Sequence, residues 1–352
     1  MSDKSIKYEE YKGLDAAQLD EIFNGIRKIN IALIGDLCLD IYWHADMRKS
    51  ELSRETPHYT LPIIDERISP GAGGNVVCNL AALMPEKIIM LGVIGRNWRG
   101  DLFKEQFSGF KNVDISYVIE SEKRITEAFC KLLRKGIADV VYEDPRLDFL
   151  NYEKLCMEDE EALISSLDDA AGKVDIICVS DQNTSGCISK KVREKINELG
   201  RHGHRIIVDS RDNISRFRNV ILKPNELEGW RAIYRNDDID GDINKLAAVA
   251  NMLSHKNHSS VCMTLGAKGC MYSNSVENIY IPSYKVDPPL DICGAGDTFL
   301  SAFACSVAAG AKPPEAASFA NLAADVTVAK TGMTGTASME EIKKRHKEIF
   351  KP

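Results

Sequence analysis

The stretch Leu290-Asp291-Ile292-Cys293-Gly294-Ala295-Gly296-Asp297-Thr298-Phe299-Leu300, LDICGAGDTFL, sets two glycines around an alanine just ahead of a helix-like apolar segment, Phe299 to Val307. Gly294-Ala295-Gly296 carries almost no side-chain bulk, so a ligand can come close to its backbone. The first amides of a helix have no partner within it, and a small-residue turn that exposes them is a ready anion site. A carboxylate in that place, Asp297, raises a question. It is either an ordinary cap of the helix it opens or a chemical group set beside a bound anion, and other parts of the chain must decide.

Strand-like apolar runs alternate with helix-like segments on both sides of this turn. NIALIGDLCLDIYW (Asn30–Trp43), KIIMLGVIG (Lys87–Gly95), VDIICVSD (Val174–Asp181), RIIVDS (Arg205–Ser210), NVILKPN (Asn219–Asn225) and SSVCMTLGAKG read as strands. NVVCNLAALM (Asn75–Met84), WRGDLFKEQFSGF, SKKVREKINELGRHG and KLAAVANMLSH read as helices. Strands separated by helices of about 10–15 residues point to an α/β fold, a doubly wound, mostly parallel sheet with helices on both faces. Two segments break the rhythm, residues 41–68 and 125–143, and read as antiparallel strands inserted into the core as a small projecting sheet, either a lid over a cleft or plain surface hairpins. With no repeat and no low-complexity linker, residues 1–352 are expected to form a single domain, preceded by an N-terminal extension over 1–29.

The bulk numbers narrow the class. At 352 residues, 44% hydrophobic and 28% charged, the chain reads as an ordinary globular protein. A formal charge of −7 gives no support to a nucleic-acid-binding face. An anionic small molecule stays open, because the field within a cleft can oppose the net charge. The ten cysteines include no CxxC and several lie in apolar runs, which favours buried thiols over disulfides. His202/His204 and His255/His258 lack the third or fourth partner of a metal site. The start, MSDKSIKYEEYKGLDAAQLDEIF, is polar and acidic, and no apolar run approaches the length needed to span a bilayer. A cytoplasmic protein without membrane or nucleic-acid partners is expected.

Four further features are expected on the sheet edge that carries the 294–297 turn, where such folds bind ligands. In LKPNELEGW, Asn225 and Glu228 stand three apart after a strand, on one face of a first helical turn. Their oxygens suit Mg²⁺ held through water by a substrate's phosphates. Thr264-Leu265-Gly266-Ala267-Lys268-Gly269 is a tight turn suited to lie beside a nucleotide. In ISPGAGGNVVCN, Gly71 and Gly73 lead to Asn75 at the mouth of a helix, and Asp40 ends a strand. Asp40 and Asn75 can pair with adjacent hydroxyls, and Asp181 could join them. Each also has a plain reading: turn Asp, helix-cap Asn, exposed first turn.

DICGAGDTFLSAFA, KPNELE, PGAGGNVVCNLAAL and FANLAADVTVAKTG (Phe319–Gly332), in this order, resemble the ribokinase-like carbohydrate kinases, the PfkB family, over roughly residues 30 to 345. The resemblance implies a ribokinase-like fold with a β-sheet lid, ATP and Mg²⁺ as cofactors, and transfer of the γ-phosphoryl group to a sugar hydroxyl. Asp297 would be the general base, with the amides of Gly294, Ala295 and Gly296 holding the transferred phosphoryl group. Asp40, Gly71, Gly73, Asn75 and Asp181 would bind the acceptor; Asn225, Glu228, Thr264, Gly266, Gly269 and Asn321 would line the nucleotide site. Asp291 would be the acidic member of a K⁺ site, its alternative a plain loop Asp. Lid edges would pair in a homodimer, since exposed edge strands are usually covered.

GDLCLDIYWHADMRKSELSRETP and PRLDF (Pro145–Phe149) are similar to the group acting on heptose 7-phosphate. Three positions depart from it. Glu51 replaces an Arg, Glu127 replaces a Lys, and Ala72 replaces a Gly. Two carboxylates for two cations would weaken binding of a sugar phosphate unless Arg54 or Lys131 substitutes. Ribose, fructose or a sugar acid remain as acceptors, and a nucleoside stays open. A catalytically silent sugar-binding relative would lack the base or the amide turn, and both are present. A nicotinamide oxidoreductase would want G-x-G-x-x-G in the first turn, which IGDLCLD lacks.

Overall fold

The computed structural model describes residues 6–138, 140–332 and 334–350. Its strands are β1 (Glu9–Glu10), β2 (Asn30–Gly35), β3 (Leu37–Asp46), β4 (Ile63–Ala72), β5 (Lys87–Gly95), β6 (Val113–Asp114), β7 (Val118–Ser121), β8 (Glu127–Lys135), β9 (Val141–Glu143), β10 (Leu147–Phe149), β11 (Ile176–Asp181), β12 (Ile206–Ser210), β13 (Ile221–Leu222), β14 (Val261–Thr264), β15 (Cys270–Ser273) and β16 (Asn278–Ile281). The helices are α1 (Ala16–Ile26), α2 (Gly73–Ala82), α3 (Trp98–Glu105), α4 (Met157–Ala171), α5 (Lys190–Arg201), α6 (Glu226–Tyr234), α7 (Ile243–Asn257), α8 (Ala295–Ala308), α9 (Pro313–Val328) and α10 (Met339–Ile349).

The large sheet runs β1-β16-β15-β14-β13-β12-β11-β2-β5-β6, with β7 also on β5. Its centre is parallel, as the unbroken apolar runs of β2, β5, β11 and β12 require of strands covered on both faces. Two hydrophobic clusters lie on the two sides. One gathers α1, α2, α8 and α9; the other gathers α4, α5 and α7. The α/β expectation holds, with one addition: β14, β15 and β16 are antiparallel, a hairpin extension hidden in the sequence by its short strands. Where it is described, the N-terminal extension over 1–29 is tied to the core, since β1 pairs with β16 and α1 buries Leu19, Ile22, Phe23 and Ile26.

The run Asn30–Trp43 is two strands, not one. β2 ends at Gly35 in the large sheet, and β3 starts at Leu37 in the second. Asp36 makes the break: its buried carboxylate accepts the amides of Gln182, Asn183 and Cys187, which pins the turn. The second sheet has five strands, ordered β10-β8-β3-β4 with β9 on β8. It reaches beyond the expected segments, to Leu37 and Phe149, and it is mixed, because β3 and β8 are parallel. One face, with Leu39, Ile41, Ala128 and Cys130, sinks into the same core as α2 and α8. The other face is left for the cleft. Among the described residues no helix is long and apolar enough to cross a membrane, and seven of the ten unpaired cysteines are buried.

Candidate active site

Helix α8 begins without any side-chain cap. Its N-cap is Gly294, at φ +78°, where a Cβ would stand 2.6 Å from Thr334 and 3.1 Å from the Asn75 amide nitrogen. Only glycine suits that turn. Among the described residues, the amides of Gly296 and Asp297 find no acceptor, whereas that of Ala295 donates to Ile292 at 3.2 Å. The amides left open at this helix start are therefore those of Gly296 and Asp297, whereas the expected set was Gly294, Ala295 and Gly296.

Asp297 is the third residue of α8 and caps nothing. Its Oδ2 accepts the Asn75 Nδ2–H at 2.7 Å. Asn75 is in turn the third residue of α2, not its cap, and it is buried. The starts of α2 and α8 thus converge, bound further by Asn79, which accepts from Thr298 at 2.7 Å, and by Thr327, which donates to Thr298 at 3.0 Å. Burial pushes the Asp297 carboxyl up to about 6; the bond from Asn75 and the nearby Lys223 pull it down, and Asp209 and Asp40 push it up. A carboxylate with that value is ionised at neutral pH yet basic enough to take a hydroxyl proton.

Lys223 was not singled out from the sequence, although it stands inside LKPNELEGW. It follows β13, is 3% exposed, and donates to Asp209 Oδ2 at 2.6 Å. Its Nζ lies 3.7 Å from where a Cβ on Gly296 would be. Burial opposes its charge, but Asp209, Glu228 and Asp297 together keep its pKa above the ordinary value. A lysine directly after a buried strand, two residues before an Asn-x-x-Glu, was the available signal. Asp209, at the end of β12, offered none beyond its place on the sheet edge.

Asn225 and Glu228 form a reciprocal cap of α6: Asn225 Oδ1 accepts the Glu228 amide and Glu228 Oε2 accepts the Asn225 amide, both at 2.8 Å. Burial, then Asp209, raises the Glu228 carboxyl to about 7, against the pull of Lys223. Each residue keeps one polar atom, Asn225 Nδ2 and Glu228 Oε1, for other partners. Among the described residues no group of three or more His, Cys, Asp or Glu could hold a metal ion. Asn225 and Glu228 would suit Mg²⁺ bound mainly by a substrate's phosphates and water, which Glu228 would contact through a water molecule.

Other expected residues are placed differently. Asp40 reaches the cleft from the middle of β3, not from the end of a core strand, opposite Ser69 of β4 and Phe129 of β8. Gly71 and Gly73 bracket the passage from β4 into α2, with Ala72 at φ +47° and ψ −124°. Asp181 accepts from Ser210 at 2.6 Å and Asn213 at 3.2 Å, so its carboxylate serves the β11–β12 edge. Asn321 is buried, and its amide hydrogens point to the carbonyls of Ile281 and Pro282, both at 3.3 Å. Gly269, at φ +101°, is needed because a Cβ would lie 2.1 Å from the Ile281 carbonyl oxygen; Thr264 bridges to Asn225, and Gly266 is open. Asp291 accepts the amides of Cys293 and Gly332, both at 3.0 Å.

The lid face above this floor is cationic around one carboxylate. Lys131, Arg146 and Arg67 lower the Asp40 carboxyl, against burial, which raises it more. Lys131 and Arg67 stand 5.3 and 4.1 Å from the Tyr42 ring centre, and Arg146 stands 4.6 Å from that of Phe129. Arg146 is held by Asp148 at 2.6 and 2.7 Å, while Lys131 has no ion pair among the described residues. Arg54 and Glu51 are exposed on the outer loop. Glu127 is buried at the lid's base, accepting from Asn151 at 3.0 and 3.1 Å and from Asn183, with Arg124 at 3.9 Å.

A family model described as pfkB family carbohydrate kinase matches residues 65–340. The chain belongs to that family. It is a phosphotransferase with a sugar hydroxyl as acceptor. Among curated proteins, this carbohydrate kinase is 28% identical over 333 residues to the bifunctional protein HldE of Geotalea uraniireducens, spanning 94% of this chain and 65% of that protein. It is also 28% identical over 329 residues to the bifunctional protein HldE of Sulfurimonas denitrificans, again 65% of that protein's length. Solved structures share the ribokinase-like fold. The ribokinase of Arabidopsis thaliana with ribose and ATP gives a TM-score of 0.66 at 20% identity, over 90% of this chain and 98% of that one. Phosphofructokinase-2 of Escherichia coli with fructose-6-phosphate gives 0.68 at 18%, over 91% and 99%.

Proposed function

We propose that this kinase uses ATP and Mg²⁺ to phosphorylate a hydroxyl of a sugar that already carries a phosphate, with heptose 7-phosphate as the first candidate. The observation behind this reading is the cluster of Lys131, Arg146 and Arg67 about Asp40 on the cleft face of the lid. Asp40 and Asn75 would pair with sugar hydroxyls, and the cations would hold the acceptor's phosphate. Glu127 does not oppose them, because its carboxylate is bound at the lid's base. The HldE relatives, of whose length this chain spans about two thirds (65%), are consistent with this acceptor.

Asp297 then takes the proton of the attacking hydroxyl, while the Gly296 and Asp297 amides and the Lys223 ammonium hold the phosphoryl oxygens. Bound Mg²⁺ would neutralise charge on the nucleotide phosphates; Glu228 is placed to orient its waters. K⁺ belongs to the same reading, against Asp291 oxygens that already accept two amides. So does a homodimer through the lid, whose edge strands β4 and β10 and neighbour β9 expose Ile63, Ile64, Tyr142 and Leu147.

The test is Mg²⁺-dependent ATP consumption against sugars offered with and without their phosphates. Turnover of heptose 7-phosphate supports the full reading. Turnover of neutral sugars alone keeps the kinase and discards the phosphate site.

A further inference from the structure

Arg67 sits on β4 opposite Tyr42, with its guanidinium 4.1 Å from the Tyr42 ring centre, and it also reaches a residue outside the lid. Its Nη1 donates to the Gly332 carbonyl oxygen at 2.8 Å. Gly332 lies just beyond α9 in a left-handed conformation, φ +76°, which turns its carbonyl and its amide toward different partners. The amide donates to Asp291 Oδ2 at 3.0 Å, and Asp291 Oδ1 accepts the Cys293 amide at 3.0 Å. The Asp291 amide is itself held by Val328 at the end of α9, at 2.8 Å. Cys293 immediately precedes Gly294. A strand of the lid is thus joined to the anion turn through three hydrogen bonds, each with one ionised partner and so stronger than a neutral bond. Among the described residues, no other side-chain hydrogen bond joins the lid strands to residues 290–297 or 329–338.

We propose that Arg67 is a positioning residue that couples the nucleotide site to the acceptor lid. A nucleotide that settles on the anion turn fixes Asp291 and Gly332, which presents the carbonyl that Arg67 needs in order to hold β4 down. Within the lid the same guanidinium lies 4.1 Å from the Tyr42 ring centre and acts on Asp40, beside the proposed acceptor site, so an acceptor bound there steadies the arginine that reaches Gly332. Each ligand then favours one shared arrangement, and the coupling is reciprocal: nucleotide tightens acceptor binding by the factor by which acceptor tightens nucleotide binding. The proposal rests on the placement of the nucleotide phosphates at residues 294–297. It does not depend on which sugar is the acceptor.

The experiment is hydrogen exchange on the full chain, with and without saturating Mg²⁺–ADP and with no sugar present. In the unaltered protein, nucleotide should slow exchange of the amides of residues 63–72 by about 5-fold or more. In Arg67→Gln and in Asp291→Asn the slowing should fall below about twofold, the range of ordinary scatter around no coupling. Arg67→Lys keeps a charged donor without the planar fork and should recover part of the effect, which also guards against a glutamine variant that fails to fold. Equal slowing in Arg67→Gln and the unaltered protein overturns the proposal. Protection confined to residues 291–297 overturns the coupling but keeps the nucleotide assignment. No protection anywhere, with no heat of nucleotide binding, overturns both.

Discussion

The floor of the cleft and the lid above it solve opposite problems with similar side chains. On the floor, Asp297, Lys223, Asp209 and Glu228 are crowded at helix starts and strand ends, and each charge is fixed by another charge or amide. On the lid, Lys131 and Arg67 lie over an aromatic face beside Asp40, and Lys131 is unpaired among the described residues. A preorganised floor suits the step common to every acceptor, where charge develops at a known place. A cationic lid with a free lysine suits recognition, where affinity for one anion is the variable. Substitutions on the floor should therefore act on kcat, and those on the lid on the acceptor's KM.

The largest effect is expected from Asp297→Asn. Losing the proposed base should lower kcat by about 10³-fold, within the usual range for general base catalysis, with acceptor KM changed only a few-fold. The same variant should be more stable. A carboxyl raised from 3.8 to about 6 in the folded state weakens folding as pH climbs through that window, and the full penalty is present above it. Two units correspond to about 3 kcal/mol at most, and about 1–2 kcal/mol is expected after allowing for the open side of the residue. Urea unfolding at pH 5 and pH 8 checks it; equal stability of the two proteins at pH 8 removes the raised pKa. In the unaltered enzyme, kcat/KM should fall about tenfold per unit below pH 6 as Asp297 protonates.

Lys223→Met comes next. It leaves Asp209 buried and unpaired, which costs about 3–5 kcal/mol at neutral pH. It also removes the cation that holds down the Asp297 and Glu228 carboxyls, so the acid limb of the pH–rate profile should move upward. Thermal unfolding and the pH profile of whatever activity survives are the measurements. An unmoved acid limb in a folded variant would separate Lys223 from the base.

The contrast also explains what could be read from the chain beforehand. The floor is legible because each part is contiguous: Gly294 to Asp297, Asn225 to Glu228, Gly71 to Asn75. The alternation of apolar runs was enough for the parallel centre. The lid is less so, because its decisive pairing, β3 beside β8, joins residues far apart in sequence and is parallel where hairpins suggest antiparallel. Asp36, the residue that divides one apolar run between two sheets, is recognisable only through amides more than a hundred residues away. Asp181 and Asn321 show a different limit. A polar residue at a strand or helix looks the same in sequence whether its partner is a ligand or, as here, Ser210 or the Ile281 carbonyl.

On the lid, Lys131→Gln should raise the KM of a phosphorylated acceptor by about 10–100-fold, the worth of one hydrogen bond to a charged group. kcat should stay within about threefold, and a neutral sugar should be unaffected. Arg146→Gln should act in the same direction but less, since Asp148 already shares its guanidinium. An equal loss for neutral and phosphorylated acceptors would mean that these cations hold the lid in shape and read no phosphate.

The smallest effect lies at the joint. Ala72 links the lid's edge strand β4 to α2, and at φ +47°, ψ −124° it occupies a region that glycine enters freely and an L-residue enters under strain. Strain of this kind is worth about 1–3 kcal/mol. Glycine relieves it but adds about 0.5–1 kcal/mol of chain entropy to the unfolded state. Ala72→Gly should therefore stabilise the protein by about 1 kcal/mol, with kcat within about twofold. Because the strained residue stands between floor and lid, the accompanying change in acceptor KM is the informative part. A stabilised variant with an unchanged KM means that the joint is rigid and lid position is set by contacts such as Arg67. A stabilised variant with a weakened KM means that the strain itself holds the lid toward the floor, and the two regions are then less separable than their chemistry suggests.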